Sequence, residues 1–490
     1  MIKLIRKKTF WLPIILMLIA LVSLTWKLGS HALVDYDEAT YAQVVHDTLQ
    51  SGNIWTLQKS GANWFEKPPL YFWTAMISVK ALGENEFALR LPSVIFGLLT
   101  LLLVYFIAKK LTASYLLAAA VFLILLYSPF YYFAREVRLD SGVIMSIMLA
   151  VYLLIIGWEK DKKLFWLFPA LAVGFLFKSV IVILALPILL IYSSIYRQWN
   201  WLKSKYLWWG VFPAMVIILP WHLYQQLKYG LIFWQQYLGY HVVQRAVGGI
   251  GTEAQNNGIS WNYFYDLWNY FQPFTQIFLI VLIVYVIFTL SRRRQNRNIS
   301  SSLFSAILII ILFSFFKTHI ITYLLPMLPF AALALAGMVV AIFSFGPWLA
   351  YGIILLITAA QIFYGNIDRL TILPYHEDQK AAAAVYSKIG KAAPLYVLEW
   401  PAEEAVRYYS QDNPNFVYFP TEQDSVLKGP LYLMVNTAYL NYFRNQDGTV
   451  KSEYQDWSVF YQGKYLWLLY SATSVTLQKG FTDGTIYLVQ

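Results

Sequence analysis

The sequence predicts a polytopic α-helical membrane protein of about eleven spans, followed by a small extracytoplasmic α/β domain. Three observations carry this. Of 490 residues, 59% are hydrophobic and only 13% charged, about half the charged share of a soluble chain. Apolar runs long enough to cross a bilayer recur from the N-terminus to about residue 364. Beyond residue 366 they give way to short strand-like runs separated by turn residues.

The opening "MIKLIRKKTFWLPIILMLIALVSLTWKLG" has a basic lead and an apolar stretch too long for a signal peptide. It is read as the first span. Spans are expected at 10–28, 92–108, 112–128, 141–157, 164–177, 179–195, 206–221, 272–290, 303–316, 320–344 and 348–364. The count has a range of 11–13, and the pair around Lys178 could be one broken helix. From a cytoplasmic start, five basic clusters fall inside: Lys3 to Lys8, Lys109/Lys110, Lys160 to Lys163, Arg197 to Lys205 and Arg292 to Arg297. This is the positive-inside pattern. It assigns the net charge of +11 to topology and membrane lipids, with no nucleic-acid partner.

Residues 1–364 therefore form a membrane domain with external loops at 29–91, 129–140 and 222–270. Residues 365–490 form the external domain, beginning with the helix-like "HEDQKAAAAVYSKIG" and continuing with "PLYVLEW", "NFVYFP", "GPLYLMVN" and "KYLWLLY". The chain has no cysteine, which excludes disulfides, a thiolate nucleophile and a cysteine-ligated metal. Lack of cysteine and the basic balance point to a bacterium, and the multiple spans to its plasma membrane.

The chemistry-bearing residues collect on the outer face. The first loop holds Asp35, Asp37, Glu38, Asp47, Glu66, Glu84 and Glu86. Asp37 to Leu49 has a helical apolar rhythm and suits a helix lying on the membrane surface. "PLYFWTAMISVKALG" reads as a second interfacial helix. Acids in a loop are often only a solvated surface. That reading fails for Glu66-Lys67-Pro68-Pro69, where prolines fix charges among Trp64, Phe65, Tyr71, Phe72 and Trp73. Such an arrangement is costly unless it binds something polar. Lys67, Arg135, Arg138, Lys178, Arg245 and Lys317 are the cations on this face. Ionisable residues at one face, with few at mid-span, argue for interfacial chemistry over an ion path. A carboxylate base with a cationic phosphate clamp suits sugar transfer from a lipid-linked phosphate. The alternatives are a transporter or flippase of lipid-linked sugars, and an envelope scaffold acting through the C-terminal domain.

The stretches "DEATYA", "SGNIW", "FEKPPLYFW" and "GENEFALRLPS" resemble the first loop of the C superfamily of membrane glycosyltransferases. The resemblance is closest to the aminoarabinose transferases and protein O-mannosyltransferases (families 83 and 39). It continues through "RLD" at Arg138–Asp140, "FK" at Phe177–Lys178, "LPWHLY" at Leu219–Tyr224, "YH…QR" at Tyr240–Arg245 and "TYLLPMLPFAALALAG" at Thr322–Gly337. It implies an inverting enzyme that takes a sugar from a polyprenyl-phosphate donor, passing it to a lipid, cell-envelope polymer or protein. Asp37 would be the catalytic base, assisted by Glu38, with Asp140 a second catalytic carboxylate. Glu66, Lys67, Arg138, Lys178, Arg245, His319 and Tyr323 would form the donor site. Glu66 and His241 would share a divalent metal ion, if one is used. The chain departs from the pattern in three places: Thr40 where the aminoarabinose branch has Arg, Lys178-Ser179-Val180 for "KGP", and His319 for a usual Lys. The glycines of "VGGIGTE" (Val247 to Glu253) read as a mobile loop over the site.

Overall fold

The structure, a computed structural model, describes residues 2–34, 36–244, 247, 262–292, 296–365, 374–389, 393–398, 403–411, 415–417, 425–436, 457–478 and 487–489. The chain divides into two compact units. One comprises Met1–Leu28, Ser51–Leu57 and Asn63–Leu370, and the other Gly29–Gln50, Gln58–Ala62 and Thr371–Gln490.

Among the described residues of the first unit, eight helices are long and apolar enough to cross a membrane: Glu86–Thr112, Asp140–Gly157, Asp161–Tyr196, Lys205–Tyr229, Phe274–Ser291, Arg297–Ser314, Ile321–Ile342 and Pro347–Gly365. Shorter apolar helices occupy Trp11–Thr25, Leu70–Leu82 and Tyr115–Leu126. Every expected span lies on one of these apolar helices. The two expected around Lys178 form a single helical run, broken where Leu167–Lys178 meets a 3-10 turn at Ser179–Leu184, before Ala185–Tyr196. The helix expected to end at 221 continues as Val211–Tyr229. Its last turns are polar (His222, Gln225, Gln226, Lys228), which conceals them from hydropathy although the backbone stays helical. "YH…QR", expected in a loop, begins on a π-helix at Gln235–Gln244.

Side-chain caps set several helix starts. Asn85 accepts the Ala88 N–H at 2.9 Å, and Ser114 accepts that of Leu117 at 3.1 Å. Asp140–Gly157 is the most enclosed helix, with 83% of its residues buried, whereas Phe274–Ser291 has 11% and faces outward. Close packing around the central helix depends on Gly142, where a Cβ would stand 2.6 Å from the Phe177 ring. That ring is itself held edge-on by Phe96, 4.7 Å away.

In the second unit, five strands run in the order Asn415–Val417, Leu395–Leu398, Leu431–Asn436, Leu466–Ser471, Ser458–Gln462. The first three are mutually parallel and the remaining pairings antiparallel. The helix Pro374–Lys388 supplies Ala382, Ala383 and Tyr386 to a core with Leu395, Val397, Val406, Met434 and Leu468. Its Asp378 accepts the Tyr461 hydroxyl at 2.9 Å and the Tyr465 N–H at 2.6 Å. A second sheet pairs Val475–Gln478 antiparallel with both Ser425–Leu427 and Tyr487–Val489.

The helix Asp37–Ser51 belongs to this second unit. Glu38 to Val45 are all buried, so it is an enclosed helix and not the surface helix expected from its rhythm. The apolar stripe Tyr41, Val44, Val45 serves protein packing and a headgroup surface equally. Ala39 and Ala42 permit close approach on the remaining sides. Among its buried polar groups, Gln43 donates to Asp47 at 2.8 Å and Thr48 accepts the Gln58 N–H at 2.9 Å, whereas Thr40 Oγ1 and Gln43 Oε1 have no hydrogen-bond partner among the described residues.

Candidate active site

Two of the charged clusters in the membrane unit stand beside helix ends. Asp140 opens the helix Asp140–Gly157 and Lys178 closes the neighbouring Leu167–Lys178. The acid therefore sits at the positive end of one helix dipole and the cation at the negative end of the other. The Lys178 ammonium donates to Asp140 Oδ1 at 2.7 Å, with both side chains buried. Lys178 Nζ also lies 5.7 Å from the centre of the Tyr323 ring, a cation–π distance. Tyr323 is stacked on Phe313 with ring centres 5.2 Å apart.

The turn after Lys178 is strained. Ser179 has φ 56° and ψ −134°, a conformation natural to glycine but costly for a residue with a Cβ. Ser179→Gly is accordingly expected to stabilise the protein by ~1 kcal/mol, read as a higher thermal midpoint in detergent. A lowered midpoint would show that the serine side chain has a compensating role.

The second cluster is the "FEKPP" turn. Lys67 donates to Glu66 Oε1 at 2.6 Å, and His241 Nδ1 stands 3.7 Å from the same oxygen. Phe65 fixes one side of the turn, buried with Trp221, Phe233 and Tyr237. Trp64 packs edge-on against Phe72 at 5.4 Å. The approach to the turn is held as well: Trp221 and Gln225 donate to the Trp55 carbonyl at 2.9 and 2.6 Å, and Trp73 to that of Ile54 at 2.7 Å. As the prolines implied, these charges are held by a rigid aromatic frame.

Glu66 Oε1 and His241 Nδ1 face each other and would be the two protein ligands of a divalent ion. The oxygen nearest His241 is already engaged by Lys67, and among the described residues no three His, Cys, Asp or Glu side chains group as ligands.

Arg138 pairs with Glu136 and lies 5.3 Å from the Phe133 ring centre. Its backbone N–H donates to Ser93 Oγ at 3.1 Å. His319 is buried edge-on to Tyr263 at 5.1 Å. Burial pushes its imidazole below the ordinary value, opposed by Asp266, whose own carboxyl is raised by burial. Arg245 and the glycines of 248–253 lie outside the described residues. Sequence reasoning missed Glu136 and Asp266, although the i, i+2 charge alternation of "REVR" was a usable signal for the first.

Asp37 and Glu38 sit in the second unit, on the first turn of their helix, where the dipole favours negative charge. Asp37 is partly exposed. Glu38 is buried and accepts the Val34 N–H at 2.8 Å, closing the turn that leads into the helix. His376 lies within electrostatic range of Glu38; burial holds its imidazole below the ordinary value, against the pull of Glu38 and Glu377.

The folded state thus binds fewer protons than the unfolded state in the window below the ordinary imidazole value of 6.5. The His376 contribution to stability is full above that value and is lost as pH falls through the depressed one. Thermal midpoints measured from about pH 8 down to about pH 5 should fall, and His376→Phe should flatten that slope. An unchanged slope in the variant would refute the assignment.

The similarities to known proteins agree with this architecture. Residues 66–224 match the family profile described as dolichyl-phosphate-mannose-protein mannosyltransferase. The undecaprenyl phosphate-alpha-4-amino-4-deoxy-L-arabinose arabinosyl transferase of Pseudomonas aeruginosa (strain UCBPP-PA14) is 29% identical over 250 residues, 48% of this chain and 44% of that protein. A Proteus mirabilis arabinosyl transferase of the same description is 28% identical over 257 residues, 51% of this chain and 46% of its own length. The chain spans about half the length of these curated relatives. The crystal structure of ArnT from Cupriavidus metallidurans bound to undecaprenyl phosphate superposes with a TM-score of 0.66 at 17% identity, covering 93% of this chain and 97% of that one. The chain shares the fold of this ArnT structure. In the order of that fold, the "FEKPP" turn and the Asp140 helix lie within the stretch matched by the family profile. Lys178 falls there too, whereas Asp37, Glu38, His241, His319 and Tyr323 lie outside it.

Proposed function

We propose that this protein is an integral-membrane, inverting glycosyltransferase. It takes a sugar from a polyprenyl-phosphate donor and passes it to a lipid, envelope polymer or protein at the outer face of a bacterial plasma membrane. The observation that carries the reading is the buried Lys178 ammonium, fixed between Asp140 and the Tyr323 ring. A cation held in place away from water is what a departing phosphate needs. The arabinosyl-transferase relatives and the undecaprenyl phosphate bound by the Cupriavidus protein support a polyprenyl-phosphate donor.

In this mechanism Asp37 accepts the proton of the acceptor hydroxyl. The acceptor oxygen bonds to the sugar anomeric carbon as the bond from that carbon to the phosphate oxygen breaks. The phosphate keeps the electron pair, and its new charge is met by Lys178, Lys67 and Arg245. Asp140 and Glu66 hold the two ammoniums at their stations. One displacement with no covalent sugar–enzyme intermediate inverts the anomeric configuration.

The test is transfer of radiolabelled sugar by the full chain in lipid vesicles, from a panel of polyprenyl-phosphate sugars into an envelope extract. Label should enter an extract component in step with release of free polyprenyl phosphate. Movement of intact lipid-linked sugar between leaflets without release would replace the enzyme by a flippase.

A further inference from the structure

The segment that delivers Asp37 is held by side chains more than three hundred residues away. Three successive backbone N–H groups, those of Ala32, Leu33 and Val34, each donate to a different side chain. Ala32 N donates to Glu377 Oε1 at 2.7 Å, Leu33 N to the Tyr409 hydroxyl at 2.7 Å, and Val34 N to Glu38 Oε2 at 2.8 Å. Ala32 and Leu33 are fully buried, so water cannot replace these acceptors at no cost. The far end of the same segment is held too. Lys59 donates to the buried Glu404 at 2.7 Å, the Ser60 N–H donates to Asp47 at 2.6 Å, and His46 meets Tyr408 edge-on at 6.4 Å.

These partners come from two helices of the C-terminal sequence, Pro374–Lys388 (Glu377) and Glu403–Ser410 (Glu404, Tyr408, Tyr409). All of them lie in the same compact unit as the Asp37 helix. All three backbone donors lie just ahead of the helix that Asp37 opens, and two of them are held by the C-terminal sequence.

We infer that Glu377 and Tyr409 are positioning residues for Asp37, making the C-terminal domain part of the catalytic apparatus. The inference rests on the reading of Asp37 as the base. A side chain that must meet a hydroxyl at hydrogen-bond distance loses about 10²-fold in rate when misplaced by 1 Å. Tyr409→Phe removes the acceptor of the Leu33 N–H and keeps the ring against which Lys380 lies. Glu377→Ala removes the acceptor of Ala32, whereas Glu377→Gln keeps an amide oxygen in its place.

Two measurements on the full chain in lipid test this. Donor turnover should show kcat reduced by about 10- to 100-fold in Tyr409→Phe and Glu377→Ala, with KM for the donor unchanged and most of the loss restored in Glu377→Gln. Hydrogen exchange should rise in peptides covering residues 29–41 and stay native in those covering 86–112. Native kcat in both variants, or native exchange at 29–41, would overturn the inference. If Glu377→Ala unfolds, Tyr409→Phe decides alone. Should the native chain transfer no sugar from any donor, the proposed function fails, and hydrogen exchange still decides whether Glu377 and Tyr409 hold the segment.

Discussion

Asp37→Asn is expected to reduce sugar transfer by about 10²–10⁴-fold, the usual contribution of a positioned general base. The amide has the size of the carboxylate but cannot accept the acceptor's proton. Asp37 is only partly buried and stands on the first turn of its helix, where Asn is also well tolerated. The fold should therefore lose less than about 1 kcal/mol. KM for the donor should hold, because Lys67 and Lys178, and not Asp37, are the groups assigned to the phosphate. Steady-state kinetics alongside thermal unfolding checks both parts. Native turnover in this variant would remove Asp37 from the mechanism.

The second large effect is at Lys178. Lys178→Met leaves Asp140 buried with its principal counter-charge gone, which costs about 3–5 kcal/mol where both partners are enclosed. The side chains here are 8% and 7% exposed, enclosed enough for that estimate to apply. The double variant Lys178→Met/Asp140→Asn removes both charges and should regain much of the lost stability. It should not regain activity, because the leaving phosphate still lacks its cation. Comparing unfolding and turnover across the single and double variants separates a structural pair from a working one. Recovery of both together would make the pair purely structural.

Much of this fold was legible because a membrane leaves a chain few options. A span must be helical and apolar, so each expected span fell on an apolar helix. Polar helix ends escaped: His222 to Tyr229 continue a helix that hydropathy closes too early. The Glu66–Lys67 pair was readable because the residues are adjacent and prolines fix them. The partner of Asp140 was not. Arg138, two residues away, was the obvious candidate from sequence, but it turns to Glu136 while the helix start at Asp140 meets the helix end at Lys178. That pairing spans 38 residues and depends on how two helices lie side by side. The placement of Asp37 was the least legible feature. Its apolar rhythm correctly predicted a helix, but nothing local distinguishes a headgroup surface from a protein surface. The deciding hydrogen bonds reach Glu377 and Tyr409, 345 and 376 residues away.

The central claim is that this chain breaks the bond between a sugar and a polyprenyl phosphate, and does not merely carry the lipid. The most direct measurement uses vesicles with the protein in one orientation and the lipid-linked sugar loaded into one leaflet at a time. Free polyprenyl phosphate is then followed with and without an envelope extract. The account predicts acceptor-dependent release when donor occupies the leaflet on the side of the C-terminal domain, abolished by Asp37→Asn. Intact lipid-linked sugar appearing in the opposite leaflet, with no release from either side and no effect of Asp37→Asn, would contradict it.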